Sequence, residues 1–253
     1  MDTIMNRPVL VFLMTFVALW VAAQVGATLR RKRGQMEAAE REDFGVILAA
    51  ALTLLGLIIG FTFSMAITRY DLRKNYEEAE ANAIGTEYVR ADLLPAANGE
   101  KVRELLKRYL DQRVLFYRTR DAEELVRVNA KTSDLQDDLW NEVKVPAEAS
   151  QSAVSALTVA GMNDVLNSQG YTQAAWWNRI PQAAWELMWA IAVCCNFMIG
   201  YYVRPAGRRW IRLVVMPLIV SISFMLIADI DSPRAGIIRV QPQNLVSLAQ
   251  SLK

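Results

Sequence analysis

Apolar residues along this chain gather into four windows, 8–29, 44–67, 183–203 and 210–230. Each is close to the ~20 residues a helix needs to cross a hydrocarbon core about 30 Å thick. The first is too long for a secretory leader. Only Arg7 precedes it and RRKR follows it at 30–33, so it reads as a retained span. The second does not stop at the membrane edge. Residues 60–92, GFTFSMAITRYDLRKNYEEAEANAIGTEYVRAD, pass from apolar to charged with no Pro and with Gly only at 60 and 85. This pattern predicts one helix from 44 to at least 88, about 65 Å long at 1.5 Å per residue. A span continuing into solvent in this way makes membrane helix and water-exposed domain one mechanical unit.

Residues 68–182 read as helices. Val102, Leu105, Leu106, Tyr109, Leu110 and Phe116 recur at the 3–4 spacing of one helical face, and Leu125, Val128, Leu135, Leu139 and Val143 repeat it more weakly. No alternating β-branched run bounded by turn residues predicts a strand. Breaks are expected at 95–99 (PAANG), near 131–133 (KTS) and at 145–146. The small residues of 147–162 favour close helix packing, and 167–170 (NSQG) is expected to end that helix before the chain re-enters the membrane. The fold expected is an all-α membrane protein: four transmembrane helices, the second extended into a helical extramembrane bundle. Its parts are transmembrane helices 1 and 2 (1–67), the extramembrane domain (68–182), helices 3 and 4 (183–230) and a C-terminal tail (231–253).

Composition sharpens this. Hydrophobic residues make up 53% and charged residues 21%, and 14 Lys/Arg with 16 Asp/Glu crowd into 69–145. A net charge of +2 is too small to imply nucleic acid; membrane lipid is the partner implied. There is no His, which removes the commonest general base and metal ligand. Cys194 and Cys195 are adjacent and read as small buried hydrophobes. Trp20, Trp176, Trp177, Trp185, Trp189 and Trp210 lie in or beside spans, where several suit interfacial positions. The short loops carry Arg30, Arg31, Lys32, Arg33 and Arg41, then Arg204, Arg208, Arg209 and Arg212. The other side has Arg7, Arg69, Arg73, Lys74 and Arg179 near span ends. By a small margin that charge count puts the short loops in the cytoplasm and the helical domain outside.

Gly56, Gly60 and Ser64 form a small-residue series suited to a tight helix–helix seam in lipid. Thr53, Leu57 and Phe61 run beside it; around a symmetry axis they would form an apolar constriction that gates by dewetting, and otherwise they face lipid or another span. Arg69, Tyr70 and Asp71 stand where the second span leaves the membrane, as interfacial anchors or as a pore mouth. Glu77, Glu78, Glu80 and Glu87 read as a solvated or salt-bridged face. Asp134, Asp137 and Asp138 lack the spacing and turn glycine of a calcium loop and read as a helix start. Within the last two spans the acids are Glu186 and Asp229, at their ends and away from the bilayer centre where a proton-coupled transporter would place one. With no nucleophile–base pair, phosphate loop or metal motif, no enzyme, metal site or cofactor is implied.

Two segments carry a family resemblance. GFTFSMAITRYD (60–71) with EANAIGTEYVRADLLP (80–95) resembles the bacterial bestrophin-like domain family, and so does the tail DSPRAGIIRV (231–240). The motif positions are Glu80, Asn82, Gly85, Thr86, Arg90, Asp92, Asp231 and Arg234. The resemblance to bestrophins proper rests on Gly60-Phe61 and on Arg69-Tyr70, with Asp71 where bestrophins have a second aromatic. It implies a homo-oligomeric, pentameric ion channel in a bacterial inner membrane, with inorganic ions as permeants. The second span would line the pore, Thr53, Leu57, Phe61 and Ser64 facing the axis. The acidic calcium clasp of animal bestrophins has no counterpart beyond Asp229 and Asp231. The resemblance also puts the helical domain in the cytosol, against the charge count. A non-conducting membrane adaptor or sensor that binds a protein through its helical domain is the alternative function.

Overall fold

The computed structural model describes residues 6–33, 36–150, 152–203 and 209–252. Every regular element among them is helical: α1 (Pro8–Arg33), α2 (Ala38–Arg90), a 3-10 turn (Ala91–Leu93), α3 (Ala96–Arg118), α4 (Ala122–Ala149), α5 (Ala153–Trp177), α6 (Gln182–Tyr202), α7 (Arg209–Asp231) and α8 (Gln243–Ser251). Arg204 and Arg208, counted above toward loop charge, lie outside the described residues, as do the side chains of Arg209, Trp210 and Arg212. Four apolar segments are long enough to cross a membrane: α1, the first part of α2, α6 and α7. The second helix is unbroken through 68–71. It runs 53 residues, about 80 Å, so the single helix expected over 44–88 is present and longer.

Contacts divide the chain into two compact units, Met1–Thr68 with Arg179–Arg239, and Arg69–Asn178 with Val240–Lys253. In the first, α1 packs along α6 and α7. Glycines let α1 and α6 approach closely. A Cβ on Gly26 would lie 2.0 Å from the Phe197 carbonyl oxygen, and one on Gly200 1.9 Å from that of Ala23. Two backbones meet there because neither helix carries a side chain at the crossing, the usual route to tight association in lipid. The start of α2 is tied to the end of α6. Phe44 lies 5.5 Å from the Tyr201 ring and stacks on Tyr202, while Arg41 sits 4.4 Å over the Tyr202 ring and donates to its carbonyl at 3.3 Å.

In the second unit α3 buries Val102, Leu105, Leu106, Tyr109, Leu110 and Phe116, the face its periodicity marks. From α4 come Val128, Leu135, Leu139 and Val143, with Leu125 partly buried against them. Several expected breaks are absent. The expected stop near 131–133 is inside α4, where Thr132 is buried and donates to the Val128 carbonyl at 2.7 Å. That helix starts instead at Asp121, whose carboxylate accepts from the Glu124 N–H at 3.0 Å. Asp134, Asp137 and Asp138 are therefore mid-helix and start nothing. Pro146 stands inside the last turn of α4. Nor does 167–170 end a helix: α5 runs on to Trp177 because Thr172, Ala175 and Trp176 beyond it are buried, and burial outweighs the weak propensity of Gly170. The break at Pro95 is real, since Pro95 caps α3. Gly99, however, is helical, and a Cβ on it would come within 2.4 Å of the Ala91 carbonyl oxygen.

The glycine crossing yields a stability test. Gly200→Ala forces a methyl against backbone that cannot yield locally and should cost about 1–3 kcal/mol, read as a lower thermal midpoint in detergent. Gly170→Ala, where an added Cβ meets nothing within 4 Å, should not lower the midpoint. Equal midpoints for wild type and Gly200→Ala would contradict the close crossing.

Candidate functional site

The second span has two unlike faces. Leu48, Leu55, Thr62 and Ala66 are buried, at the seven- and four-residue spacing of one helical stripe. Leu57 follows Leu55 by two residues, about 200° around the helix, and so points the other way. Thr53, Gly56, Leu57, Gly60, Phe61 and Ser64 are all exposed, Leu57 by 52% and Phe61 by 62%. A Cβ on Gly56 or Gly60 would meet nothing, so these glycines form no seam with another helix of this chain. Thr53 donates its hydroxyl to the Ala49 carbonyl at 2.9 Å, spending its polarity within the helix. The stripe is apolar, continuous and uncovered in the single chain.

Along the Arg69–Arg90 part of α2 the pattern reverses. Arg69 and Tyr70 are half-buried and Asp71 is exposed. Arg73, Glu77, Glu80, Ile84, Glu87 and Ala91 are then buried in sequence, again at alternating three- and four-residue steps. Of the acids expected on a solvated face only Glu78 is exposed; the others occupy core positions. Arg73 donates to the carbonyls of Ala175 at 3.2 Å and Asn178 at 3.4 Å. Glu77 caps α8, whose own N-cap is Pro242, by accepting from the Leu245 N–H at 2.9 Å and Asn244 Nδ2 at 2.7 Å.

Glu80 is the hub. It pairs with the equally buried Arg113 of α3, and accepts from the Tyr117 hydroxyl at 3.3 Å and the Thr172 hydroxyl of α5 at 3.1 Å. Burial works against the Arg113 charge, and the Glu80 carboxylate more than compensates, holding Arg113 above its ordinary value. Burial and the same carboxylate push the Tyr117 phenol well up, and burial does so for Tyr109. Both phenols therefore keep their hydrogens as donors. The Arg113 guanidinium lies 4.4 Å over the Phe116 ring, and Trp176 meets Phe116 and Tyr117 edge-on. Arg113, Tyr117 and Thr172 are not among the residues the sequence singles out, and Arg73 enters there only as a charge near a span end. A signal existed for two of them: Arg113 and Tyr117 continue the α3 stripe of Tyr109, Leu110 and Phe116.

The remaining family-motif positions are scattered. Asn82, Gly85 and Thr86 line an open groove of about 490 Å³ with Asn244, Ser247 and Ser251 of α8. Arg90 is half-buried. Asp92 is exposed and pairs with Arg103. Asp231 is buried and accepts from Arg179 Nε at 2.9 Å and the Ile180 N–H at 3.1 Å. Arg234 is half-buried in the turn that follows. Asp229 accepts from the N–H groups of Ile237 and Ile238, both at 2.8 Å. The two acids at the end of the fourth span are thus engaged by the chain's own donors. Among the described residues no group of three or more His, Cys, Asp or Glu could hold a metal ion.

Comparison with known proteins agrees with this architecture. The Bestrophin-like domain family matches residues 9–245. A crystal structure of a bacterial bestrophin homologue from Klebsiella pneumoniae, phased with zinc, is similar with a TM-score of 0.62 at 14% identity, over 96% of this chain and 95% of that one. A singly substituted form from the same organism gives 0.63 at 14% identity, over 97% of each chain. A further structure, described as a membrane protein, gives 0.65 at 14% identity over 95% of each. No curated protein matches the sequence. At such identity the solved structures establish the fold alone, all-α with a long second helix; the four apolar helices and the family match make the chain an integral membrane protein.

Removing the Glu80 charge should be costly. Glu80→Gln leaves the Arg113 cation buried without its counter-charge, which should cost about 3–5 kcal/mol. Glu78→Gln, on the exposed side, should stay within about 0.5 kcal/mol. Thermal unfolding of both variants in detergent decides it; equal midpoints would remove Glu80 from its place as hub.

Proposed function

We propose that this chain, which belongs to the Bestrophin-like domain family, works as a homo-oligomeric ion channel whose second membrane helix lines the conducting path. The observation that carries the reading is the uncovered face of that helix, Thr53, Leu57, Phe61 and Ser64, opposite a buried one. Four spans with so few polar side chains cannot enclose a wet path alone. Copies arranged about an axis can, and a closed ring satisfies every interface. Five subunits is the number the bestrophin resemblance implies, and the plasma (inner) membrane the location.

In that ring Leu57 and Phe61 form an apolar neck. Water and ions are opposed there because hydrocarbon offers nothing to replace hydration. Gly56 and Gly60 sit beside the neck, where the absence of side chains lets a neighbouring copy approach. Arg69, Tyr70 and Asp71 are the mouth, and their charges bias which ions enter. Inorganic ions are the permeants, and no residue set favours catalysis.

Two measurements test this. The detergent-solubilised particle should have the mass of a closed oligomer; a stable monomer in mild detergent would count heavily against the channel. In liposomes Leu57→Ala/Phe61→Ala should raise ion flux by about tenfold or more, the result of taking about 1.4 kcal/mol off a barrier. Arg69→Glu should change ion preference and leave the neck barrier alone. A double-alanine protein that assembles yet passes no ions would favour the adaptor reading instead.

A further inference from the structure

Four buried polar side chains of α2 face the helical unit, and three of them are matched. Arg73 has backbone carbonyls, Glu77 has the start of α8, and Glu80 has Arg113, Tyr117 and Thr172. Glu87 differs. It is 0% exposed, and neither carboxyl oxygen has a hydrogen-bond partner. It lies against α5 at Gly161, where a Cβ would fall 2.0 Å from Glu87 Oε2 and 2.4 Å from Arg90 Nη1. The glycine is thus a socket that admits both side chains. Thr158, Met162 and Val165 are the other buried positions of α5 there.

Two charged groups act on this carboxyl, Arg90 from its own helix and Asp164 from α5. On the 3-10 turn that packs against α5, Asp92 pairs with Arg103 of α3. Arg103 and Lys107 of α3 lie over the Tyr88 ring. Neither cation hydrogen-bonds to Glu87, whose oxygens have no partner. A carboxylate without a hydrogen bond in such a place is costly, whereas the neutral acid is tolerated.

We propose that the α2–α5 seam at Gly161 is a proton-controlled latch, closed while Glu87 carries its proton and released when that proton leaves. Burial holds the Glu87 carboxyl at about 8, against the pull of Arg90 and with a push from Asp164. Opened to water it would return toward the ordinary 4.5. Closing therefore takes up a proton. The closed form is favoured most below about pH 4.5, loses about tenfold per pH unit up to about pH 8, and levels off above that. Release begins in the first half of α5. The second half stays held by Thr172 on Glu80, by the Ala175 carbonyl on Arg73 and by Tyr171 stacked on Tyr76.

Hydrogen exchange of the full chain in detergent, from pH 5 to 9, tests this. Exchange over residues 153–165 is divided at each pH by that of Glu87→Gln, which cancels the chemical pH dependence. Glu87→Gln cannot ionise, so the ratio should climb by about tenfold per pH unit and flatten near pH 8, while residues 172–177 show no such climb. Asp164→Asn removes a charge that holds the proton on, so its plateau should arrive at lower pH. A ratio that stays constant with pH overturns the latch. If Glu87→Gln does not fold, the Asp164→Asn profile decides: a plateau at lower pH than in wild type supports the latch, and an unmoved one overturns it.

Discussion

The pairing of Glu80 with Arg113 is the interaction on which the helical unit depends. Both side chains are fully buried, and in that setting a lone charge is much worse than no charge at all. The pair fixes the register of α2 against α3. Through Thr172 and Tyr117 the same carboxylate ties in α5 and a second position of α3. The apolar contacts of Phe116 and Trp176 surround it, excluding the water that would weaken the attraction. Register is what such a polar contact supplies best, because apolar side chains alone can slide by a turn.

One helix therefore serves two solvents by two rules. In its apolar half, contacts are made by side-chain shape, and the buried stripe of Leu48, Leu55, Thr62 and Ala66 is narrow. The membrane unit also has a tight crossing elsewhere, at Gly26 and Gly200, where backbone meets backbone. In its charged half, α2 buries polar groups and matches them one by one. Glu87 breaks that rule. It is unmatched, so its protonation decides whether its burial is tolerable. Stability at neutral pH and responsiveness to pH thus sit about two turns apart on the same stripe.

Much of this was legible. The four apolar windows, the unbroken second helix and the α3 stripe follow from length and spacing, which act locally and need no tertiary context. Breaks were less legible. KTS at 131–133 and NSQG at 167–170 carry weak helix formers, yet both stay helical because Thr132, Thr172 and Trp176 are buried around them. Pro95 did mark a boundary, since a missing N–H is felt in any context. The acids of α2 misled for a related reason. Glu77, Glu80 and Glu87 keep the spacing of Ile84 and Ala91, and spacing was the better guide than charge.

By itself the sequence determined that this is an all-α chain with four membrane-long apolar segments and a second helix continuing past the membrane edge. Those properties depend on hydropathy and on the absence of helix breakers, both carried residue by residue. Only the tertiary structure decided which acids are matched, that Gly26 and Gly200 make the close crossing while Gly56 and Gly60 stand open, that Asp229 holds N–H groups of the tail and that Asp231 holds Arg179 and Ile180. All but the Asp229 contact depend on a group brought from a distant part of the chain. Glu80 finds Arg113 and Thr172, and Gly26 finds Phe197, only when the helices pack, so no local pattern could name these partners.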